Sequence, residues 1–277
     1  MRTRRWLLGT LGSLAIGGLA GCSGRPHPAA RDTAGVDALP FQQYSYGDDP
    51  AQWGRLYRPS GRSAGTVVVI HGGFWRSEYG AELGTPLAQD LARRGWTAWN
   101  IEYRRVGNGG GWPNTLTDVG AAIDRLATLE VDTTKVIALG HSAGGQLAAW
   151  SAAREAAAVP ITGVVSQAGV LDLVAAAQRG VGGSAVPDLL GGTPAQVPDR
   201  YQVADPRQHV PLPVPVRCLH AAADRNVPYW QSTDYVQAAR AAGADASLTT
   251  VPGDHFTLID TGAPAWQAAL AALAELS

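Results

Sequence analysis

Apolar positions divide the chain into a short N-terminal stretch and a long region where strand-like and helix-like segments alternate. Thr66-Val67-Val68-Val69-Ile70 is an unbroken, largely β-branched run that stops at His71-Gly72-Gly73. Such a run is the pattern of a strand buried on both faces. Residues 83–94 have helical spacing and close on Gly95, and residues 96–103 read as a second strand. Residues 116–129 place Val119, Ile123 and Leu126 on one helical face. A third strand over residues 136–139 runs through Gly140 into an Ala-rich helix over about residues 143–157. Strands at 162–166 and 214–220, a helix at 230–242, a strand at 246–251 and a helix at 264–276 follow. Alternation at this spacing predicts an α/β fold, a mostly parallel sheet with helices on both faces. Between residues 169 and 213 the rhythm gives way to Gly, Pro and short polar segments. That break predicts a small cap insertion, about residues 170–213, over the carboxyl edge of the sheet. No internal repeat is present.

The first forty residues follow a different pattern. Arg2, Arg4 and Arg5 precede a Gly-rich apolar run over residues 6–20, too short for a membrane span and ending in small residues. Residues 1–21 therefore read as a signal peptide. Residues 22–40, a mixture of Gly, Pro, Ala and charges, read as a flexible tether to a domain over residues 41–277. Thr3-Arg4-Arg5-Trp6-Leu7-Leu8 resembles a twin-arginine export signal, and Leu19-Ala20-Gly21-Cys22 resembles a bacterial lipobox. The second resemblance implies that Cys22 is lipidated and becomes the first residue of the mature chain, held at the membrane by two acyl chains. The expected location is the cell membrane, facing away from the cytoplasm. A cleaved signal with an incidental cysteine, giving a freely secreted protein, is the alternative.

Composition narrows the field. The 277 residues carry a formal net charge of −1 with 45% hydrophobic positions, which suits one globular domain. No basic footprint for a phosphate backbone follows the first few residues, so nucleic acid is not an expected partner. The only cysteines are Cys22 and Cys218. With Cys22 lipidated no intramolecular disulfide forms, and Cys218 lies in an apolar strand pattern that predicts packing. No ligand cluster with metal spacing occurs, and no cofactor is expected.

Candidate chemistry gathers at the strand ends. Gly140-His141-Ser142-Ala143-Gly144 is a G-x-S-x-G sequence between an apolar strand and an Ala-rich helix. A turn that sharp needs flanks nearly free of side chains, which leaves Ser142 at the tip above a helix N-terminus. A serine nucleophile needs a base, and the base an orienting acid. Of the six histidines, His220 and His255 lie well downstream near strand ends. His255, in the loop after the last strand, is the expected base, and its neighbour Asp254 reads as a solvated turn residue. Asp224, after the strand at 214–220, is the expected acid, with Asp172 as its rival and otherwise a helix cap. His71-Gly72-Gly73-Phe74-Trp75 supplies glycines that let backbone approach substrate. The N–H of Ala143 and that of Gly73 or Phe74 form the expected oxyanion hole. His71 reads as a buried hydrogen-bonding scaffold.

Together His71-Gly72-Gly73-Phe74-Trp75, Gly140-His141-Ser142-Ala143-Gly144-Gly145, Asp224 with Val227-Pro228, and Asp254-His255-Phe256 resemble the HGGxW branch of the α/β-hydrolases. That branch holds the kynurenine formamidase (arylformamidase) group and related carboxylesterases, some feruloyl-esterase-like. Glu102-Tyr103-Arg104, Trp112-Pro113 and Asp118-Val119 match as scaffold and helix-capping features. One departure is Ala221, where relatives often carry Gly. The resemblance covers about residues 41–277 and implies a serine hydrolase of small-molecule esters acting through an acyl-enzyme. An arylformamidase-like amide hydrolase is the second reading. A catalytically silent lipoprotein that binds an envelope ligand is the third. Trp75, Trp112, Tyr201 and Trp230 either favour an aryl group or pack the core rim. Substrate identity and oligomeric state are not encoded in any motif.

Overall fold

The computed structural model describes residues 39–277. The signal-peptide and Cys22 readings, and all but the end of the tether, lie outside the described residues. Eight strands form one sheet: β1 (Gln42–Ser45), β2 (Trp53–Tyr57), β3 (Thr66–Ile70), β4 (Thr97–Ile101), β5 (Val136–His141), β6 (Gly163–Gln167), β7 (Val216–Ala221) and β8 (Ala246–Val251). Their order is β1-β2-β4-β3-β5-β6-β7-β8. β1 and β2 run antiparallel at one edge, and every pair from β4 through β8 is parallel.

Pleat alternation sorts the side chains of β3 between two cores. Val68 and Ile70 join Trp99, Ile101, Leu116, Val119, Ile123 and Leu147 on one side. Val67 and Val69 join Leu87, Leu91, Trp266, Ala269 and Leu273 on the other. The first core is closed by helices α2 (Asn114–Asp124), α3 (Ala143–Ala152) and α7 (Trp230–Ala241), the second by α1 (Thr85–Arg93) and α8 (Pro264–Glu275). A strand with both faces covered buries about 1.5–3 kcal/mol of apolar transfer energy per large side chain, which is why β3 reads as a continuous apolar run.

Most expected elements appear within a few residues of their predicted limits. The helix after Ser142 is shorter than expected, ending at Ala152. The helix expected at 83–94 begins with a 3₁₀ turn, Ala81–Gly84, because Pro86 suits the first turn of the α-helix that follows. The insertion contains three short helices, α4 (Leu173–Arg179), α5 (Ala185–Leu190) and α6 (Pro198–Ala204). Among the described residues no helix is long and apolar enough to cross a membrane.

The insertion is anchored by a buried acid. Asp205 is fully buried; its Oδ2 accepts the Val174 N–H at 3.2 Å at the start of α4, and its Oδ1 the Arg207 N–H at 3.0 Å. Burial drives its pKa up to about 6, with Asp172 adding to the rise and backbone N–H groups opposing it. A carboxyl whose folded pKa is raised contributes stability fully present below its unfolded pKa, near 4, and lost as pH rises through about 6. Thermal melts from pH 4 to 7 should therefore show wild-type protein losing stability relative to Asp205→Asn across that window. A gap between the two that does not change with pH would contradict the assignment.

Candidate active site

The end of β5 turns into α3 within a single residue. Ser142 has φ 56° and ψ −119°, a conformation that costs a non-glycine residue about 1–3 kcal/mol. Its N–H donates to the Gln167 carbonyl at 2.8 Å, and its own carbonyl accepts the Gly145 N–H at 2.9 Å. The turn survives because its flanks have no side chains. A Cβ at Gly140 would lie 2.0 Å from the Gly144 carbonyl oxygen, and one at Gly144 would lie 2.0 Å from the Ile70 carbonyl oxygen. The Ser142 hydroxyl makes no hydrogen bond among the described residues.

Asp224 and His255 meet beside this turn. His255 Nδ1 donates to Asp224 Oδ2 at 2.6 Å, so Nε2 is the nitrogen left to accept a proton. Asp224 Oδ1 accepts the N–H groups of Asn226 at 2.8 Å and Val227 at 2.9 Å. Burial alone would raise the Asp224 pKa, yet hydrogen bonds from His220 and His255 and from the Val227 N–H hold it well below the usual carboxylate range. The His255 loop is fixed from below: His141 Nε2 donates to the His255 carbonyl at 2.9 Å, and the Gln167 amide donates to the Leu258 carbonyl at 2.6 Å. His141 is buried with its ring 4.4 Å from that of His255. Burial, reinforced by His255, pushes its pKa down to about 3, so it stays neutral at physiological pH. Asp254 is exposed and accepts the N–H groups of Phe256 and Thr257, the turn role expected of it. Asp172 caps α4 by accepting the Ala175 N–H at 2.7 Å, and among the described residues the carboxylate hydrogen-bonded to His255 is that of Asp224.

The loop after β3 has an unusual backbone. Gly73 has φ 114°, Phe74 50° and Trp75 55°, so two non-glycine residues follow one another in left-handed conformations. The N–H groups of Gly73, Phe74 and Ala143 have no partner among the described residues, as an oxyanion hole requires. His71 anchors the loop. Its ring stacks on Tyr103 at 4.3 Å, its Nε2 faces Glu102 Oε1 at 3.1 Å, and the Tyr103 hydroxyl donates to the His71 carbonyl at 2.8 Å. Glu102 also pairs with Arg105 at 3.1 Å and accepts the Ala81 N–H at 2.9 Å. Burial works against its charge, but His71, the Ala81 N–H and Arg105 hold its pKa below the usual value.

Gln146, one turn along α3 from Ser142, was not apparent in the motifs. Its carbonyl accepts the Trp75 indole N–H at 3.0 Å and its amide donates to the Ala204 carbonyl at 2.9 Å. One buried side chain thus ties α3 to the Phe74–Trp75 loop and to the insertion. Its signal in the sequence is a single amide in Ala143-Gly144-Gly145-Gln146-Leu147-Ala148-Ala149, on a helix otherwise built for burial. The insertion touches the same loop again: Arg76 donates to the Gly182 carbonyl at 3.2 Å, and a Cβ at Gly182 would lie 2.4 Å from Phe74 Cε1. Of the four aromatics expected near the cleft, Trp75 and Tyr201 are fully buried in the core, while Trp112 and Trp230 are half-buried. Cys218 is buried, and burial pushes its thiol up to about 12. No group of His, Cys, Asp and Glu suited to a metal ion occurs among the described residues.

Parallel sheet, strained strand-to-helix turn and strand-end carboxylate–imidazole pair define the α/β-hydrolase fold. Within it the chain belongs to the BD-FAE family, whose model matches residues 55–238. Solved structures with the same fold include a truncated carbohydrate esterase from gut microbiota, at 19% identity and TM-score 0.76. That match covers 87% of this chain and 98% of the esterase. Thermogutta terrifontis esterase 2 phosphonylated by sarin matches at 21% identity and TM-score 0.72, covering 87% of this chain and 95% of the esterase. The butyrate-bound form of a Thermogutta terrifontis esterase matches at 21% identity and TM-score 0.68, over 86% of this chain and 93% of that one. No curated protein matches the sequence.

Replacing Gln146 by Leu would leave the Trp75 N–H and the Ala204 carbonyl buried without partners, at about 1–3 kcal/mol each. The expected result is a fall in Tm of roughly 5–10 °C, measured by calorimetry. Gln146→Glu keeps an acceptor for Trp75 and should fall less. Equal stability of wild type and Gln146→Leu would show that the bridge does not hold the loop.

Proposed function

We propose that this protein is an exported serine hydrolase that cleaves carboxylic esters through an acyl-enzyme. The observation that carries the reading is the 2.6 Å hydrogen bond between His255 Nδ1 and Asp224, next to a serine held at a strained strand-to-helix turn. The structural neighbours that are esterases agree with it. Phosphonylation of one of them by sarin matches the chemistry expected of Ser142.

In this mechanism Ser142 Oγ attacks the ester carbonyl while His255 Nε2 takes its proton, and Asp224 stabilises the imidazolium. The tetrahedral oxyanion lies against the N–H groups of Ala143 and of Gly73 or Phe74, each worth about 10²–10³ in kcat. His255 then hands its proton to the departing alcohol, leaving Ser142 acylated. Water, deprotonated by the same imidazole, releases the acid and restores the serine.

A fluorophosphonate probe is expected to label wild-type protein and not Ser142→Ala, read by gel fluorescence. Equal labelling of the two would end the proposal. With p-nitrophenyl acetate, Asp224→Asn is expected to lower kcat by about 10³–10⁴, as loss of a triad acid does elsewhere, whereas Asp172→Asn should stay near wild type. The reverse ranking would move the acid to Asp172. Faster turnover of N-formylkynurenine than of the acetate would replace ester hydrolysis by the formamide reaction.

The proposal extends to location. Residues 1–21 act as the export signal and Cys22 as a lipidated anchor, which brings the site to envelope or external esters. Cells expressing the full chain and fed an alkynyl fatty acid should label wild-type protein and not Cys22→Ala. Label retained by the variant would rule out this anchor.

A further inference from the structure

We propose that His220 is a positioning residue for Asp224, set by Ser232 in the tautomer that donates a second hydrogen bond to the acid. This rests on the reading of Ser142, His255 and Asp224 given above. His220, on β7, and Ser232, on α7, are both fully buried. His220 Nε2 lies 3.0 Å from the Val227 carbonyl oxygen and 3.3 Å from Asp224 Oδ2. A carbonyl and an ionised carboxylate only accept, so Nε2 carries the hydrogen and is shared between them. In the neutral ring Nδ1 is then an acceptor. It lies 2.8 Å from Ser232 Oγ, whose hydroxyl is the donor. The other tautomer would turn a bare nitrogen toward two oxygens. Ser232 is therefore what keeps the proton on the side of Asp224.

The geometry has an electrostatic result. Asp224 Oδ2, the oxygen that holds His255, has His220 as its second donor. Oδ1 is occupied by the N–H groups of Asn226 and Val227. The carboxylate is thus fixed in rotation, and its charge is divided among four donors. The other titratable groups that face this cluster are Tyr229, edge-on to His220 at 5.3 Å, and His141, behind His255 at 4.4 Å. His141 is held neutral by burial, and the Asp224 carboxylate is the charge that His220 acts on. Removing the His220 N–H leaves more of that charge facing the His255 ring, which favours the imidazolium and moves the acid limb of the pH profile upward.

The test is the pH dependence of kcat/KM for p-nitrophenyl acetate in the full chain, with fluorophosphonate labelling of wild type alongside. His220→Leu is expected to raise the acid limb by about half a pH unit or more and to lower kcat by about tenfold with KM little changed. Ser232→Ala should move the limb the same way by less. His220→Gln, whose amide can donate toward Asp224 and accept from Ser232, should return the limb to its wild-type position. If His220→Leu does not fold, Ser232→Ala carries the test. A folded Ser232→Ala with the wild-type limb would overturn the inference, as would His220→Leu and His220→Gln profiles that coincide. Both of those results presuppose a labelled wild type and leave the serine-hydrolase reading standing. A wild type that takes no label would remove both.

Discussion

The approach of α3 to the end of β3 is the constraint on which the site depends. The first turn of α3 comes so near the Ile70 carbonyl that no side-chain carbon fits at Gly144, and the reversal out of β5 leaves none at Gly140. With helix and strand that close, the chain has one residue in which to change direction, and that residue is Ser142. Its backbone strain is small beside the apolar burial on either face of the sheet, so the cores impose the turn. The same reversal leaves the Ala143 N–H, at the start of α3, without an acceptor among the described residues.

Four histidines surround this turn, and their partners assign each a different task. His255 faces a carboxylate through Nδ1 and keeps Nε2 free. His141 spends its N–H on the His255 carbonyl and, driven neutral by burial, acts as a wedge under the loop. His71 faces Glu102 and stacks on Tyr103, which fixes the start of the Gly73–Trp75 run. His220 faces Asp224 and Val227. Ring chemistry alone does not separate these roles; the acceptor opposite each nitrogen does.

Much of this was legible in the residues because it depends on local pattern. A β-branched run such as Thr66–Ile70 has few uses other than a strand covered on both faces, and Gly140 and Gly144 bracket the one serine that follows a strand and opens a helix. Asp224 and His255 were readable as residues just past strand ends. What was not legible depends on long-range pairing. β1 and β2 are too short and too mixed to announce an antiparallel edge. Gln146 has partners 71 and 58 residues away, and nothing near it in the chain says which they are. Ser232 sits twelve positions from His220 in a polar stretch, where a buried hydroxyl looks like any helical serine. The insertion resisted for the same reason: its short helices are held by Asp205 and by neighbours elsewhere in the fold, and periodicity over six or seven residues does not identify them.

The contacts that join the insertion to the Phe74–Trp75 loop share one property. Arg76 binds the carbonyl of Gly182, Gln146 binds the carbonyl of Ala204, and the Phe74 ring rests where Gly182 has no side chain. At these points the fold meets the insertion through main-chain carbonyls and one absent side chain, whereas the Leu173, Leu189, Leu190 and Tyr201 side chains pack into the core itself. Exposed side chains of the insertion, such as Val203, take no part in these contacts, whereas its buried ones cannot change without disturbing the core they fill.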